Sequence, residues 1–567
     1  MEPSGWDREV DVIVAGGGGA GLSAALFCAM EDLDVVLCEA SAMWGGTTAT
    51  SAGTLWVPGN DVARRAGLDI SRDMARDYLK GELGAGEGSP QLDMVDAFLD
   101  AGPRAVGALE AAGIALVAPS LHPDYHTTPG AALAGRAIGP RAFDGAQLGD
   151  DFANIRPPLP AFMLFGGMMV DKKDIDHLLA AFRSPASFMH AARLILRHGL
   201  SRLNHKRGTR LVMGNALVAA LVSAARRHKV DLVTETRIAE LIVDDGRVVG
   251  AQMQGPRGGV RIRTRRGVIL ATGGISHDRE VRHELAGEAS GKMLSLAFAG
   301  ARGDGLRLAR GTGGFADGGM AQPSYYMPTS IRKHGDGEQI FPHIFLDRAK
   351  PGLIAVNSAG RRFVNEANCY HDFVSALLAS SGHDPARPAY LICDRQFLWR
   401  YGLGLVHPRS PGWRGFVKDG YLIRATSIPE LAAKLDVDAD ALAATLERHN
   451  RYARMSRDPD FGKGSTPLNR FNGDPAVSPN PCLRPIGTTL FAVAVWPADA
   501  GMTIGIKTSR DAQVLAEGDR TVEGLYACGN DMASVMRGNY PGPGITLGPA
   551  VSFAYRAARH IAGRPLA

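Results

Sequence analysis

Apolar positions come in short, dense runs bounded by glycine clusters, and helical and extended periods alternate along the chain. Val10-Asp11-Val12-Ile13-Val14-Ala15 is a β-branched run of the kind that forms a buried parallel strand. Glycines from Gly16 to Gly21 interrupt it, a helix is predicted from Leu22 to Glu31, and Asp34-Val35-Val36-Leu37-Cys38 reads as a second strand ending at Glu39. Arg266 to Gly274 and Gly524 to Asn530 repeat the form of a buried strand running into glycine. Between them an apolar helix over Ala219–Arg227 leads to a strand at Val230–Val233. Ile238 to Val249 alternates on both sides of Asp245-Gly246, a dipeptide that favours a tight hairpin turn. Strands alternating with helices predict an α/β fold on a Rossmann-like sheet.

The first turn carries chemistry. Gly16, Gly18 and Gly21 satisfy GxGxxG. The first glycine permits the tight turn, the second lets the backbone approach a pyrophosphate, and the third lets the helix pack closely on the strand. The helix N-terminus then points its amides and positive dipole end at that anion. Glu39 lies 18 residues past Gly21, near the ~20 expected of a carboxylate that grips ribose hydroxyls. Trp44-Gly45-Gly46-Thr47-Thr48-Ala49-Thr50-Ser51-Ala52-Gly53 follows directly. Its small and hydroxyl residues let the backbone lie along an extended cofactor, as the flavin end of FAD requires. The sequence offers no second GxGxxG for a nicotinamide dinucleotide, so FAD is the expected cofactor.

Composition narrows the class. At 567 residues, two or three domains are expected. A net charge of +5 without a dense Lys/Arg run gives no case for nucleic acid. The six cysteines form no CxxC pair, so neither a disulfide framework nor a metal site is expected. Residues 1–10 show no basic-then-apolar leader, and no apolar run approaches the ~18–20 residues that span a bilayer, so the expected location is cytoplasmic. Residues 150–207 read as an insertion. Its basic amphipathic stretch sets Phe188, Met189, Ala192, Ile195, Leu196 and Leu203 against Arg193, Arg197, Arg202, Lys206 and Arg207. That pattern fits either peripheral contact with a membrane surface through 160–207 or an ordinary surface helix or subunit contact.

The three glycine-ended strands together resemble the FAD-binding fold of the succinate dehydrogenase/fumarate reductase flavoprotein superfamily, as does Gly360-Arg361-Arg362-Phe363-Val364-Asn365-Glu366. The resemblance implies a discontinuous FAD domain over 8–310 and 498–567, with an inserted α+β catalytic capping domain over 311–497. It places Gly16, Gly18, Gly19, Ala20, Gly21, Glu39 and Ala40 at the cofactor. Gly45, Gly46, Thr47, Thr48, Ser51, Ala52 and Gly53 join them from the next segment. Ile238, Ala271, Thr272 and Gly273 contribute from mid-chain, and Gly529, Asn530, Gly544, Thr546 and Leu547 from the C-terminal segment.

Asn539-Tyr540-Pro541-Gly542-Pro543-Gly544-Ile545-Thr546-Leu547-Gly548 closely resembles the tyrosine-PGPG segment of 3-ketosteroid Δ1-dehydrogenases. That family implies that the Tyr540 hydroxyl and the Gly544 amide bind the C3 carbonyl of an apolar 3-ketosteroid, and that Tyr370 takes the C2 proton. A tyrosine titrates near ~10 and needs help toward phenolate. The family's helper is the second tyrosine of Asp-Tyr-Tyr, whereas this chain has Asp124-Tyr125-His126, so either Tyr125 or His126 fills that place. Tyr325 and Tyr326 occupy an aromatic pair expected to line the substrate pocket. A quinone or another acceptor would take the electrons. The rival readings are a 3-ketosteroid Δ4-dehydrogenase, a bile-acid or other cyclic-ketone dehydrogenase, a fumarate-reductase-like enzyme, and a non-catalytic electron-transfer flavoprotein.

Overall fold

The computed structural model describes residues 5–68, 71–181, 184–335 and 337–566. Part of the N-terminal segment read for a leader, residues 1–4, lies outside them. The strand Arg8–Ala15 pairs in parallel with Val35–Cys38 on one side and with Gly258–Leu270 on the other. Asp231–Val233 extends this sheet beyond Val35–Cys38, and Thr521–Ala527 pairs in parallel with the end of Gly258–Leu270. The β-branched runs thus form the continuous, two-face-buried centre that a parallel sheet requires. Arg237–Asp244 and Arg247–Gly255 form the hairpin expected at Asp245-Gly246, where both residues take positive φ (46° and 77°).

The first helix runs Gly19–Met30, and the last, Leu547–Ile561, packs beside it. The helix expected from Ala219 begins at Met213. Its extra turn is dictated by tertiary contact: a Cβ on Gly214 would fall 1.9 Å from the Thr48 carbonyl, and Asn215 donates to the Ala49 carbonyl at 2.6 Å. The helix start is therefore moulded onto the Thr47–Gly53 segment, and local periodicity carries no trace of this.

A second sheet stands apart from the first. Leu490–Met502 runs through its middle, flanked by Ser324–His334 and Ala389–Asp394, with Gly337–Pro342 and Leu353–Val356 outside them. Leu294–Ser295 also pairs with Leu490–Met502, which itself runs across residues 497 and 498. Within 150–207, a short hairpin (Met163–Leu164 with Met168–Met169) precedes two helices, Lys172–Ala180 and Pro185–Ser201. All six cysteines are buried and unbridged.

Candidate active site

The glycine turn is built to hold a phosphate. Gly16 takes φ 107°, and a Cβ on Gly21 would lie 1.8 Å from the Gly16 carbonyl, so strand and helix touch there only because both are glycine. Gly18, by contrast, faces open space at the helix N-terminus, where a pyrophosphate needs room. Glu39 is buried and accepts hydrogen bonds from the amides of Gly17 and Ser41, both at 2.8 Å. Thr48 Oγ1 accepts from the Gly19 amide at 3.0 Å, and Thr47 Oγ1 from that of Phe298 at 2.8 Å. Gly45 and Gly46 take positive φ beside Gly18, Ser51 bonds to the Gly53 amide, and Ala40 and Ala52 are exposed.

The later segments return to the same place. A Cβ on Gly529 would lie 2.7 Å from that of Ala20, and one on Gly19 would meet Thr48 and Leu547. Ala271 and Gly273 end the central strand there, while Ile238 packs its side chain into the core with Val10 and Ile13. Thr546 immediately precedes the last helix without a side-chain capping hydrogen bond, and the Asn530 side chain reaches toward Gly501. The fit to FAD rests on this cradle: glycine at the close approach, open space over a helix start, and hydroxyls beside it. Asp531 was not expected from the sequence. Fully buried, it accepts from the Thr272 hydroxyl at 3.0 Å and the Gly274 amide at 2.8 Å, tying the two glycine-ended strands together. An acid next to a Gly-Asn pair was the only signal.

Four tyrosine rings, those of Tyr125, Tyr325, Tyr370 and Tyr540, converge on one another. Tyr540 lies in the Pro/Gly loop, which is wrapped from one side. Trp56 Nε1 donates to Asp124 at 2.8 Å, Arg136 to the other Asp124 oxygen at 2.6 Å, and the Tyr78 hydroxyl and the Tyr125 amide both donate to the Pro541 carbonyl. A Cβ on Gly544 would lie 2.4 Å from the Thr54 carbonyl, and its φ of 93° favours glycine. Among the described residues its amide makes no hydrogen bond.

Tyr370 is the first residue of the helix Tyr370–Ser380, capped by Cys369. The turn before it is fixed by a buried ion cluster, in which Glu366 receives Arg362 at 2.7 Å and Lys463 at 3.3 Å. The motif from Gly360 to Glu366 is thus an anchor for the tyrosine. The Tyr370 hydroxyl meets that of Tyr540 at 2.7 Å, with ring centroids 5.0 Å apart. Tyr125 stacks on Tyr540 (5.7 Å, 13°) and sets its edge to Tyr370 at 5.8 Å; its buried hydroxyl makes no well-formed hydrogen bond. Burial pushes all three hydroxyls well above the ordinary phenol range.

His126 faces elsewhere. Its ring lies between Glu82 and Asp372, the latter at 3.1 Å, and these partners hold it protonated well above the usual histidine range against the opposing effect of burial. It ties the Asp124 loop to the Tyr370 helix through Asp372. Tyr325 joins the cluster edge-on to Tyr540 at 5.7 Å and donates to Ser534. Tyr326 does not. Successive strand residues point to opposite faces, so it turns into the core of the second sheet and stacks on His371 at 5.2 Å.

A protein family described as FAD binding domain matches residues 11–547. A 3-oxosteroid 1-dehydrogenase of Mycolicibacterium smegmatis is 32% identical over 98% of this chain and 97% of its own. A 3-ketosteroid delta1-dehydrogenase from Sterolibacterium denitrificans, solved in complex with 1,4-androstadiene-3,17-dione, superposes with a TM-score of 0.87. That protein is 33% identical, over 98% of this chain and all of its own. The chain belongs to the 3-ketosteroid Δ1-dehydrogenase family of FAD-binding flavoproteins. It binds FAD and is an oxidoreductase, as that family implies. The family's neighbourhood includes another ring ketone. A 4-oxocyclohex-2-ene-1-carboxylate 5-dehydrogenase of Sinomonas cyclohexanicum is 36% identical over 97% of this chain and 93% of its own.

Proposed function

We propose that this chain introduces the C1–C2 double bond of a 3-ketosteroid, with Tyr540 and Gly544 binding the C3 carbonyl and Tyr370 removing the C2 proton. One observation carries the reading: the Tyr370 and Tyr540 hydroxyls meet at 2.7 Å, with Gly544 four residues past Tyr540 in the same loop. A phenol and a backbone amide, both fixed by packing, stabilise the oxygen as it gains charge and so acidify the C2–H bond. We assign Tyr370 as the base and Tyr125, stacked on Tyr540 and edge-on to Tyr370, as its helper. The chemistry that FAD supplies when bound is acceptance of a hydride at N5. We assign 311–497 as the cap, Tyr325 as a wall of the pocket, and the glycine and hydroxyl residues of the cradle as FAD contacts. A quinone or other acceptor would remove the electrons.

Anaerobic addition of 4-androstene-3,17-dione to the yellow protein is expected to bleach its flavin within the mixing time of a manual experiment. Unchanged absorbance with every 3-ketosteroid tried would remove the steroid reading. The 36% relative favours a second reading, a 4-oxocyclohexanecarboxylate-type ring ketone. Comparing kcat/KM for the two substrates separates them.

Peripheral membrane contact through 160–207 is supported by a set of exposed apolar side chains. Phe165, Phe188, Met189, Ile195, Leu196, Leu200 and Leu203 are all exposed, with Leu203 at 78%, and Arg193, Arg197, Arg202 and Lys206 are exposed around them. Arg207 is not part of it, since its guanidinium turns inward to Asn215 and the Ile155 carbonyl. No described helix is long and apolar enough to cross a membrane. Co-sedimentation with anionic vesicles is expected for the wild type and should fall at least ~10-fold for a Leu196→Asp/Leu203→Asp double variant; equal binding of both would remove this face from membrane contact.

A further inference from the structure

Arg348 is 3% exposed and lines the same small cavity as Tyr125, Tyr370, Phe345 and Leu468. A guanidinium taken out of water must be held by hydrogen bonds, and here the main chain supplies them. Nε donates to the His343 carbonyl at 2.8 Å, Nη1 to those of Glu366 and Asn368 at 2.8 and 3.1 Å, and Nη2 to that of Ile344 at 3.2 Å. Carbonyl dipoles satisfy the N–H groups but cancel no charge.

Each acid around it is engaged by another partner. The Asp347 side chain bonds to His343 at 2.6 Å and to the Gly404 amide at 3.2 Å. Glu366 is taken by Arg362 and Lys463, and Asp372 by His126. The positive charge is therefore fixed in place, and its field falls on Tyr125, where it acts against the effect of burial. The other groups facing the pair do not titrate near neutrality. Burial lowers His371 to about 4, raises Cys369 to about 11, and raises Tyr325 to about 12. Tyr540 is raised with them.

We propose that Arg348 is a positioning residue for the reaction, whose buried charge favours the anionic form of the Tyr125–Tyr370 pair and so equips Tyr370 as the base. This rests on the assignment of Tyr370 above. The guanidinium stays charged at any working pH, so its effect is a constant displacement of the pair's titration. With the charge present, the phenolate forms at lower pH, and kcat reaches its plateau sooner. Without it the rising limb of kcat moves to higher pH.

The test is the pH profile of kcat, with the tyrosinate absorbance of the holoenzyme titrated alongside and the Tyr370→Phe spectrum subtracted. Arg348→Gln is expected to move both curves up by at least about one unit, a ~10-fold loss of kcat at neutral pH, with a smaller change in KM. Arg348→Lys keeps the charge and is expected to restore most of the displacement. Asp347→Asn removes a neighbouring negative charge and is expected to move the curves the opposite way, to lower pH. If Arg348→Gln fails to fold, Asp347→Asn still decides, with Arg348→Lys expected to stay near the wild-type curve. A role limited to clamping the loop would scale kcat equally at every pH, and unmoved curves in Arg348→Gln, or in Asp347→Asn where Arg348→Gln does not fold, would overturn the proposal. If those curves are unmoved while Tyr370→Phe is inactive, only Arg348 is removed; an active Tyr370→Phe removes the base assignment itself.

Discussion

Replacing Tyr370 with phenylalanine is expected to lower kcat by roughly a thousandfold while FAD stays bound, since a positioned proton acceptor contributes about 10²–10⁴. The ring packs among Tyr125, Tyr540 and Phe345, and phenylalanine keeps that shape. Only the hydroxyl is lost, and with it one hydrogen bond to Tyr540. That loss removes the donor to one Tyr540 oxygen lone pair, worth about 1 kcal/mol, and leaves the Tyr540 O–H itself in place to donate to a ketone. Stability should therefore change little, and flavin content should match the wild type. Steady-state turnover together with the flavin-to-protein absorbance ratio checks both halves. Near-normal turnover would place the base elsewhere.

The second large effect falls on the cofactor. Gly21→Val is expected to give a colourless protein. The added Cβ alone would sit 1.8 Å from the Gly16 carbonyl oxygen, far inside van der Waals contact, and that partner is backbone at the tightest point of the turn. Strand and helix must separate, which withdraws the helix N-terminus from the pyrophosphate. Flavin absorbance of the purified variant reads this directly. A yellow variant with normal stoichiometry would show that the glycine turn does not hold the cofactor.

Much of this arrangement was legible because it depends on short-range rules. The β-branched runs and glycine turn from Val10 to Gly21 specify strand, turn and helix within a few residues, and Asp245-Gly246 specifies its hairpin. What escaped depends on contacts far apart in sequence. Asp531 clamps Thr272 and Gly274 across more than two hundred residues, and Arg348 meets the turn before Tyr370 only after the chain has folded. Neither carries a motif. Tyr326 shows the converse failure. The two rings are adjacent on one strand, yet Tyr325 meets Tyr540 while Tyr326 packs into the core of the second sheet against His371, a division that the pair of letters does not reveal. Arg207 likewise reads as part of a basic face but is drawn inward by Asn215, a partner that helical periodicity does not reveal.

The identity of the bond oxidised tests the central claim most directly. With 5α-androstane-3,17-dione, C1–C2 and C4–C5 are both saturated and both flank the same carbonyl, so the enzyme must choose. NMR of the product is expected to show olefinic protons at C1 and C2. A double bond at C4–C5, or one not conjugated to the C3 ketone, would contradict the placement of Tyr370 and Tyr540 as the groups that select it.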